Sequence, residues 1–474
     1  MQFMTFETLL HQYRSVYYNF PQPLKTFLGT IYGKIPLSWR FGNHYSMHQK
    51  VLETFEQANE QFQLDFQYHK TLETLLFANE HIPYYQNIFR EYGVTPKQFK
   101  SLDDMKRFPL LTKKDITQHS DALVTGVHEK PIAYYSGGSL STPTKYFLPN
   151  SSRAKEKAYN NYIFSQIGYR YRDKTLLLKG REISVPEKDI YWEYEPIDNY
   201  LLLSNNYMNS EKFSLMYEQA VRFKPKFLFG YPSAVLSFMK QSRKRHLKPM
   251  DVQGVILASE TVYPDELNAI FDFFGVSILT HYGHTERNVI GYRMNSRGYR
   301  FCNSYGLSRV VDNELISTTF DNFVMPFINY KTTDSAVGVI EYYPQSDVAR
   351  YVENIEGRTQ DFLVTDDKRL VSITTMCGGQ YLPLESIDAL QYVQKEPGKV
   401  TVLVEGAHID LRKVKEGMHK LVRDGIDFKI QQVEKIEKTS RGKRVMCKQF
   451  LDIEAIRQSG STVITEGGRG CSQE

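Results

Sequence analysis

The stretch from Gly254 to Thr280 constrains the fold most, because a strand, a helix and a second strand can be read in it directly. The runs GVILAS (254 to 259) and VSILT (276 to 280) are short and apolar, as strands buried on both faces are. Between them Pro264 suits a first helical turn, and Leu267, Ile270, Phe271 and Phe274 recur at i, i+3, i+4 and i+7. Gly275 can then close the helix in a left-handed cap. KTLLLKG (174 to 180) and FLFG (227 to 230) are further strand candidates. The block from about residue 170 to 340 is therefore expected to be a layered α/β domain with a mixed sheet.

Beyond residue 361 the pattern changes. KVTVLVEG alternates as a strand, a helix carries Leu411, Val414, Met418, Leu421 and Val422, and after Gly425 a second strand starts from Phe428, so a small α+β unit is expected. A chain of 474 residues with 41% hydrophobic residues, 33 Tyr and 29 Phe can bury large cores and enclose a small-molecule site. Its net charge of +5 does not call for a nucleic acid partner. Cys302, Cys377, Cys447 and Cys471 lie far apart without metal-ligand spacing, which fits a reducing cytoplasm. Neither a secretory signal nor a transmembrane segment is read, and the aromatic, partly basic first 50 residues are expected to form a peripheral helical layer.

Several short segments have the residue types of a nucleotide site. In YYSGGSLSTPTKYF (134 to 147), Ser136, Gly137, Gly138, Ser139 and Thr142 can turn backbone N–H groups and hydroxyls onto a phosphate. HYGHTERN (281 to 288) follows a strand candidate and brings Tyr282, Gly283, Thr285 and Glu286 to its carboxyl end, where open α/β sheets bind ligands. INYKTTD (328 to 334) and EGRTQD (356 to 361) are expected to set Asp334 and Arg358 in short loops. There the acid can accept two ribose hydroxyls and the guanidinium can bridge sugar and phosphate. KTSRGKR (438 to 444) offers Lys443 on a late turn.

The order of these segments, with ASE (258 to 260) between the first two, resembles the motif series of the adenylate-forming superfamily of acyl-CoA synthetases and adenylation domains. HIPYYQNIFREYGVTPKQFKSLDDMKRFPLLTKKDI (81 to 116), FLFGYPSAVL (227 to 236) and VMPFINYKTTD (324 to 334) are similar to its phenylacetate-CoA ligase and coenzyme F390 synthetase branch, with its CapK-like members associated with capsular polysaccharide synthesis. The resemblance covers roughly residues 75 to 450.

It implies an ATP-dependent, AMP-forming carboxylate ligase that uses Mg²⁺ and passes the acyl group to a thiol such as coenzyme A. By resemblance, Ser136, Gly137, Gly138, Ser139 and Thr142 contact the phosphates, while Ser259 and Glu260 lie beside the adenine. Tyr282, with Gly283 next to it, stacks on the base, Thr285 touches the α-phosphate and Glu286 ligates Mg²⁺. Asp334 and Arg358 hold the ribose, Lys443 bridges carboxylate and α-phosphate, and Asp361 is the hinge. Tyr134, Tyr135, Phe229, Tyr231 and His284 fall near the family's acyl-pocket segments.

The implied organisation is an N-terminal helical extension (1 to 75), a large α/β domain (76 to 357), a hinge (358 to 361), a mobile small α+β domain (362 to 460) and a tail (461 to 474). The chain departs from the family pattern at Leu140, where the pattern has a hydroxyl residue, and at Ser141 and Thr333, where it has Gly. Alternatives are a transferase making an amide or ester from the adenylate, and a degenerate relative that only binds nucleotide.

Overall fold

The structure is a computed structural model. It describes the chain except residues 1–6, 8–12, 14–15, 18, 136–143, 180–182, 184, 186–187, 296, 359–361, 374–375, 377–380, 384–385, 423, 439–444, 459–462 and 465–474. At 206, 356–358, 372, 454, 457–458 and 463–464 it describes the backbone only.

The N-terminal layer is helical, with α1 (Gln22–Lys34), α2 (Leu37–Arg40), α3 (Asn43–Gln57) and α4 (Glu60–His81), the last capped by the Asn59 side chain. Helix α1 docks through its small and polar face: Lys25 pairs with Glu193 at 2.9 Å, and Gly29 and Gly33 press on Pro196 and Arg172 so closely that a Cβ at either would clash. Leu24, Phe27, Leu28 and Ile31 consequently face outward. Among the described residues no helix is long and apolar enough to cross a membrane.

A hairpin, β1 (Ile132–Tyr135) and β2 (Lys145–Leu148), precedes α5 (Ser152–Ser165). Twelve strands then build one mixed sheet. Its parallel half contains β3 (Thr175–Leu178), β5 (Tyr200–Leu203), β6 (Phe227–Gly230), β7 (Gly254–Ala258) and β8 (Ser277–Gly283), edged by the antiparallel β4 (Trp192–Glu195). Its antiparallel half contains β9 (Ile290–Met294), β10 (Tyr299–Phe301), β11 (Gly306–Val311), β12 (Glu314–Thr319), β13 (Tyr330–Tyr342) and β14 (Ala349–Arg358). The order is β11-β12-β13-β14-β10-β9-β8-β7-β6-β3-β5-β4.

The four strand runs read in the sequence are all present, and the helix between the last two spans Pro264–Phe274, with Gly275 closing it at φ +66°. Alternation along the strands makes two cores. Leu176, Leu178, Leu228, Val255, Leu257 and Ile278 meet α6 (Phe213–Phe223), α7 (Pro232–Lys244) and α8 (Pro264–Phe274) on one face. Leu177, Phe229, Ile256 and Leu279 meet Tyr159, Ile163 and Phe164 of α5 on the other. The chain leaves β3 toward β5 and leaves β6 toward β7, in opposite directions across the sheet, and such a switch point between β3 and β6 opens a crevice at the strands' carboxyl ends.

The C-terminal α+β unit is also present. Strands β15 (Ala389–Glu396), β16 (Lys399–Glu405), β17 (Asp427–Val433) and β18 (Cys447–Gln449) pair in the order β17-β16-β15-β18. Helix α9 (Leu411–Leu421), N-capped by Asp410, buries Val414 and Met418 against Val402 and Phe428. This unit touches the large sheet's helices through Lys240, whose Nζ donates to Ile387 O at 2.9 Å and pairs with Asp388 at 2.6 Å.

Candidate active site

Strand β8 carries HYG at its carboxyl end, so His281 and Tyr282 point to opposite faces of the sheet. Tyr282 Oη donates to Asp334 Oδ2 at 2.7 Å, and His284 Nε2 lies 2.8 Å from that oxygen and 2.8 Å from Tyr282 Oη. The triangle is mostly buried, with the His284 and Asp334 side chains each 12% exposed. Hydrogen bonds to a carboxylate in such a place are stronger than neutral ones and hold it in one orientation.

Asp334 and Arg358 are not in loops, as the sequence reading expected. They lie on the paired strands β13 and β14 and stand directly opposite each other in the register. Paired ladder positions hold the two backbones together more firmly than loops would. The sequence reading missed this because β13 bulges at the motif: Ile316 pairs with Lys331 and Glu314 with Ser335, leaving residues 332 to 334 opposite Leu315 alone. Thr332 supplies the missing ladder bonds, donating to Leu315 O at 2.7 Å and accepting from Asp334 N at 3.2 Å.

At the centre of the bulge Thr333 has φ +68°, the left-handed conformation that Gly would take at no steric cost. The backbone thus keeps the conformation of a glycine while Thr carries the strain, about 1–2 kcal/mol for an L-residue. Glycine's extra unfolded-state entropy, about 0.5–1 kcal/mol, offsets part of that gain. Thr333→Gly should therefore stabilise the protein by about 0.5–1 kcal/mol, seen as a higher urea midpoint at unchanged slope. An unchanged or lower midpoint would show that the position is not strained.

Thr285 and Glu286 follow the strand, with Thr285 Oγ1 donating to Glu286 Oε2 at 3.1 Å. The hairpin packs beside them: Tyr134 stacks on Tyr146 at 6.1 Å, the Arg287 guanidinium lies 5.6 Å over the Tyr134 ring, and burial together with the Glu286 charge pushes the Tyr146 phenol well above its usual range. The strands flanking the Ser/Gly segment therefore end beside Thr285 and Glu286, while Ser136, Gly137, Gly138, Ser139, Leu140, Ser141 and Thr142 lie outside the described residues. So do Asp361 and Lys443, and Arg358 is described in its backbone only. No lysine or arginine pairs with Glu286 among the described residues, leaving a carboxylate suited to an ion that takes its other ligands from phosphate oxygens and water.

Ser259 follows β7 directly, exposed and at φ +70°. The Glu260 carboxylate accepts from Ser233 N and Ser233 Oγ, both at 3.1 Å, and so caps α7. Tyr231, grouped with Phe229 in the sequence reading, is buried in the core on the opposite face of the sheet. The sequence reading also missed Lys179 and His281, which share the Phe229 face; the alternation KTLLLK and VSILTH was the available signal.

No family model matches the chain. Protein CapK of Staphylococcus aureus is 23% identical over 451 residues, covering 90% of this chain and 97% of CapK. A phenylacetate-coenzyme A ligase of Thermus thermophilus is 21% identical over 313 residues, covering 61% of this chain and 68% of that protein. A 2-hydroxyisobutyryl-CoA ligase structure, in the postadenylation state with R3-HIB-AMP, superimposes with a TM-score of 0.61 at 15% identity, covering 83% of this chain and 90% of that one. The same ligase with 2-HIB-AMP and CoA in the thioesterification state gives a TM-score of 0.54 at 15% identity, covering 86% and 94%. The superimposed ligase structures share the large α/β domain and small C-terminal domain seen here.

Proposed function

We propose, from the premise that the chain is an adenylate-forming ligase of the superfamily branch holding CapK and the phenylacetate-CoA ligases, that it activates a carboxylic acid with ATP, releases pyrophosphate, and passes the acyl group to the thiol of coenzyme A. One observation carries this reading: motifs scattered over more than 200 residues converge at one end of one sheet, with the hairpin beside Thr285 and Glu286, and Asp334 locked by Tyr282 and His284 opposite Arg358.

In this reading Asp334 accepts the ribose hydroxyls while Arg358 bridges ribose and phosphate. Tyr282 lies along the base, its hydroxyl fixed by Asp334, and Gly283 leaves the strand end open beside it. Ser259 and Glu260 border the adenine through their backbone, since the Glu260 side chain is committed to α7. Ser136, Gly137, Gly138, Ser139 and Thr142 wrap the phosphates and Thr285 meets the α-phosphate. Glu286 would hold Mg²⁺, which supplies positive charge to the departing pyrophosphate. Lys443 supplies the second positive charge, at the bond between acid and α-phosphate. Residues 358 to 361, with Asp361 at the pivot, let the domain of residues 362 to 460 deliver that lysine and then withdraw it. A place in cell-envelope polysaccharide assembly rests on the resemblance to the CapK-like members of the branch, and a cytoplasmic location on the scattered cysteines.

Acid-dependent exchange of labelled pyrophosphate into ATP tests the reading, because it reports the first step whatever the acceptor. Exchange that requires both an acid and Mg²⁺ is the expected result. An enzyme that binds ATP but exchanges no pyrophosphate with any acid of a broad aliphatic and aryl panel would contradict it.

A further inference from the structure

Lys179 follows β3 directly, at the switch point of the sheet, on the face opposite the ribose anchor. Its ammonium lies 4.0 Å from the centroid of Phe229 on the adjacent strand β6, and among the described residues no carboxylate pairs with it. Burial alone lowers it to about 8. On the same face, at the end of β8, His281 Nε2 is buried with no hydrogen-bond partner among the described residues, and burial next to Lys179 lowers that ring to about 3, so it is neutral. Phe164 joins them, 5.3 Å from Phe229 and 6.0 Å from His281.

A desolvated ammonium with no anion among the described residues is costly, as is a buried ring nitrogen without a partner, and ring contacts offset only part of that cost. Both costs are recovered when an anion arrives, since Lys179 can pair with it and His281, in its Nε2–H tautomer, can donate to it. This anion is not the ribose or its Asp334 anchor, because His281 and Tyr282 leave β8 on opposite faces. Nor is it the carboxylate undergoing activation, which has to reach the α-phosphate beside Thr285 and Glu286. The aromatic wall of Phe164 and Phe229 suits the apolar spacer between two charged ends.

We propose that Lys179 and His281 form a subsite for a second anionic group on the acid substrate, so that this chain activates one end of a dicarboxylic acid. The inference rests on the ligase reading above and assigns its substrate class.

The test is pyrophosphate exchange with matched pairs of acids, such as butyrate against succinate and phenylacetate against carboxyphenylacetate, for wild type, Lys179→Met and Lys179→Arg. Wild type should favour the diacid of a pair in kcat/KM by about 100-fold, the scale of a buried charge pair losing one member. Lys179→Met should lose that preference while keeping its rate with the monoacid, and Lys179→Arg should restore much of it. Because the monoacid rate is an internal control for folding, an inactive Lys179→Met protein would not pass as support. Wild type favouring the monoacid, or Lys179→Met slowing both acids equally, would overturn the subsite and leave the ligase reading intact. No exchange with any acid would overturn the ligase reading itself, and the subsite with it.

Discussion

Lys443→Ala is expected to slow acyl-adenylate formation by about 10²- to 10³-fold, the scale of losing one donor to a developing oxyanion. Thioester formation from preformed adenylate should fall far less. As the acid attacks, negative charge accumulates on the α-phosphate and the departing pyrophosphate, and a lysine placed there stabilises the transition state more than the ground state. The second step needs no such charge. Although Lys443 lies outside the described residues, the start of its segment approaches the carboxyl ends of the parallel strands: Lys438 Nζ donates to Asn205 O at 3.2 Å, and Asn205 Nδ2 to Leu178 O at 3.4 Å. Single-turnover rates of the two half-reactions, measured separately, check the division of labour. Equal losses in both would assign Lys443 a structural task instead.

Asp334→Ala should raise the dissociation constant for Mg-ATP by about 100-fold, because hydrogen bonds to a charged acceptor contribute roughly 1.5–3 kcal/mol each. The effect should be large because this carboxylate is held in place before ligand arrives. Tyr282 and His284 fix one oxygen, the bulge fixes the backbone, and Arg358 stands opposite in the ladder. Preorganisation of this kind spares the ligand the cost of ordering its own site. The variant keeps the 2.8 Å contact between Tyr282 and His284, so the fold should survive the substitution.

The periodic elements were legible in the sequence because their signals are local. FLFG and the GVILAS strand need no partner to be recognised, and the helix ending at Gly275 announces both of its ends. The antiparallel half of the sheet was less legible. Strand β13 carries a two-residue excess at its bulge, which breaks the period-2 pattern at Asp334 and makes a strand read as a loop. The Tyr282–His284–Asp334 triangle joins residues about fifty positions apart through a register that the sequence does not display. The residue types of the site were legible through their order along the chain. The helix-capping task of Glu260, the burial of Tyr231 on the other face and the placing of Lys179 over Phe229 depend on which elements become neighbours, and only the folded chain shows them.

The melting temperature with and without Mg-ATP, for wild type and Asp334→Ala, tests the nucleotide site most directly, since it needs no knowledge of the acid. At 100 times its dissociation constant ATP should stabilise wild type by about 2.7 kcal/mol. For a chain of 474 residues unfolding as one unit this is a rise of about 3 °C. At the same concentration Asp334→Ala, binding about 100-fold more weakly, should gain only about 0.4 kcal/mol. A wild-type shift that all but vanishes in the variant is the expected result; equal shifts in the two proteins, or none in wild type at millimolar ATP, would contradict a nucleotide site at Asp334.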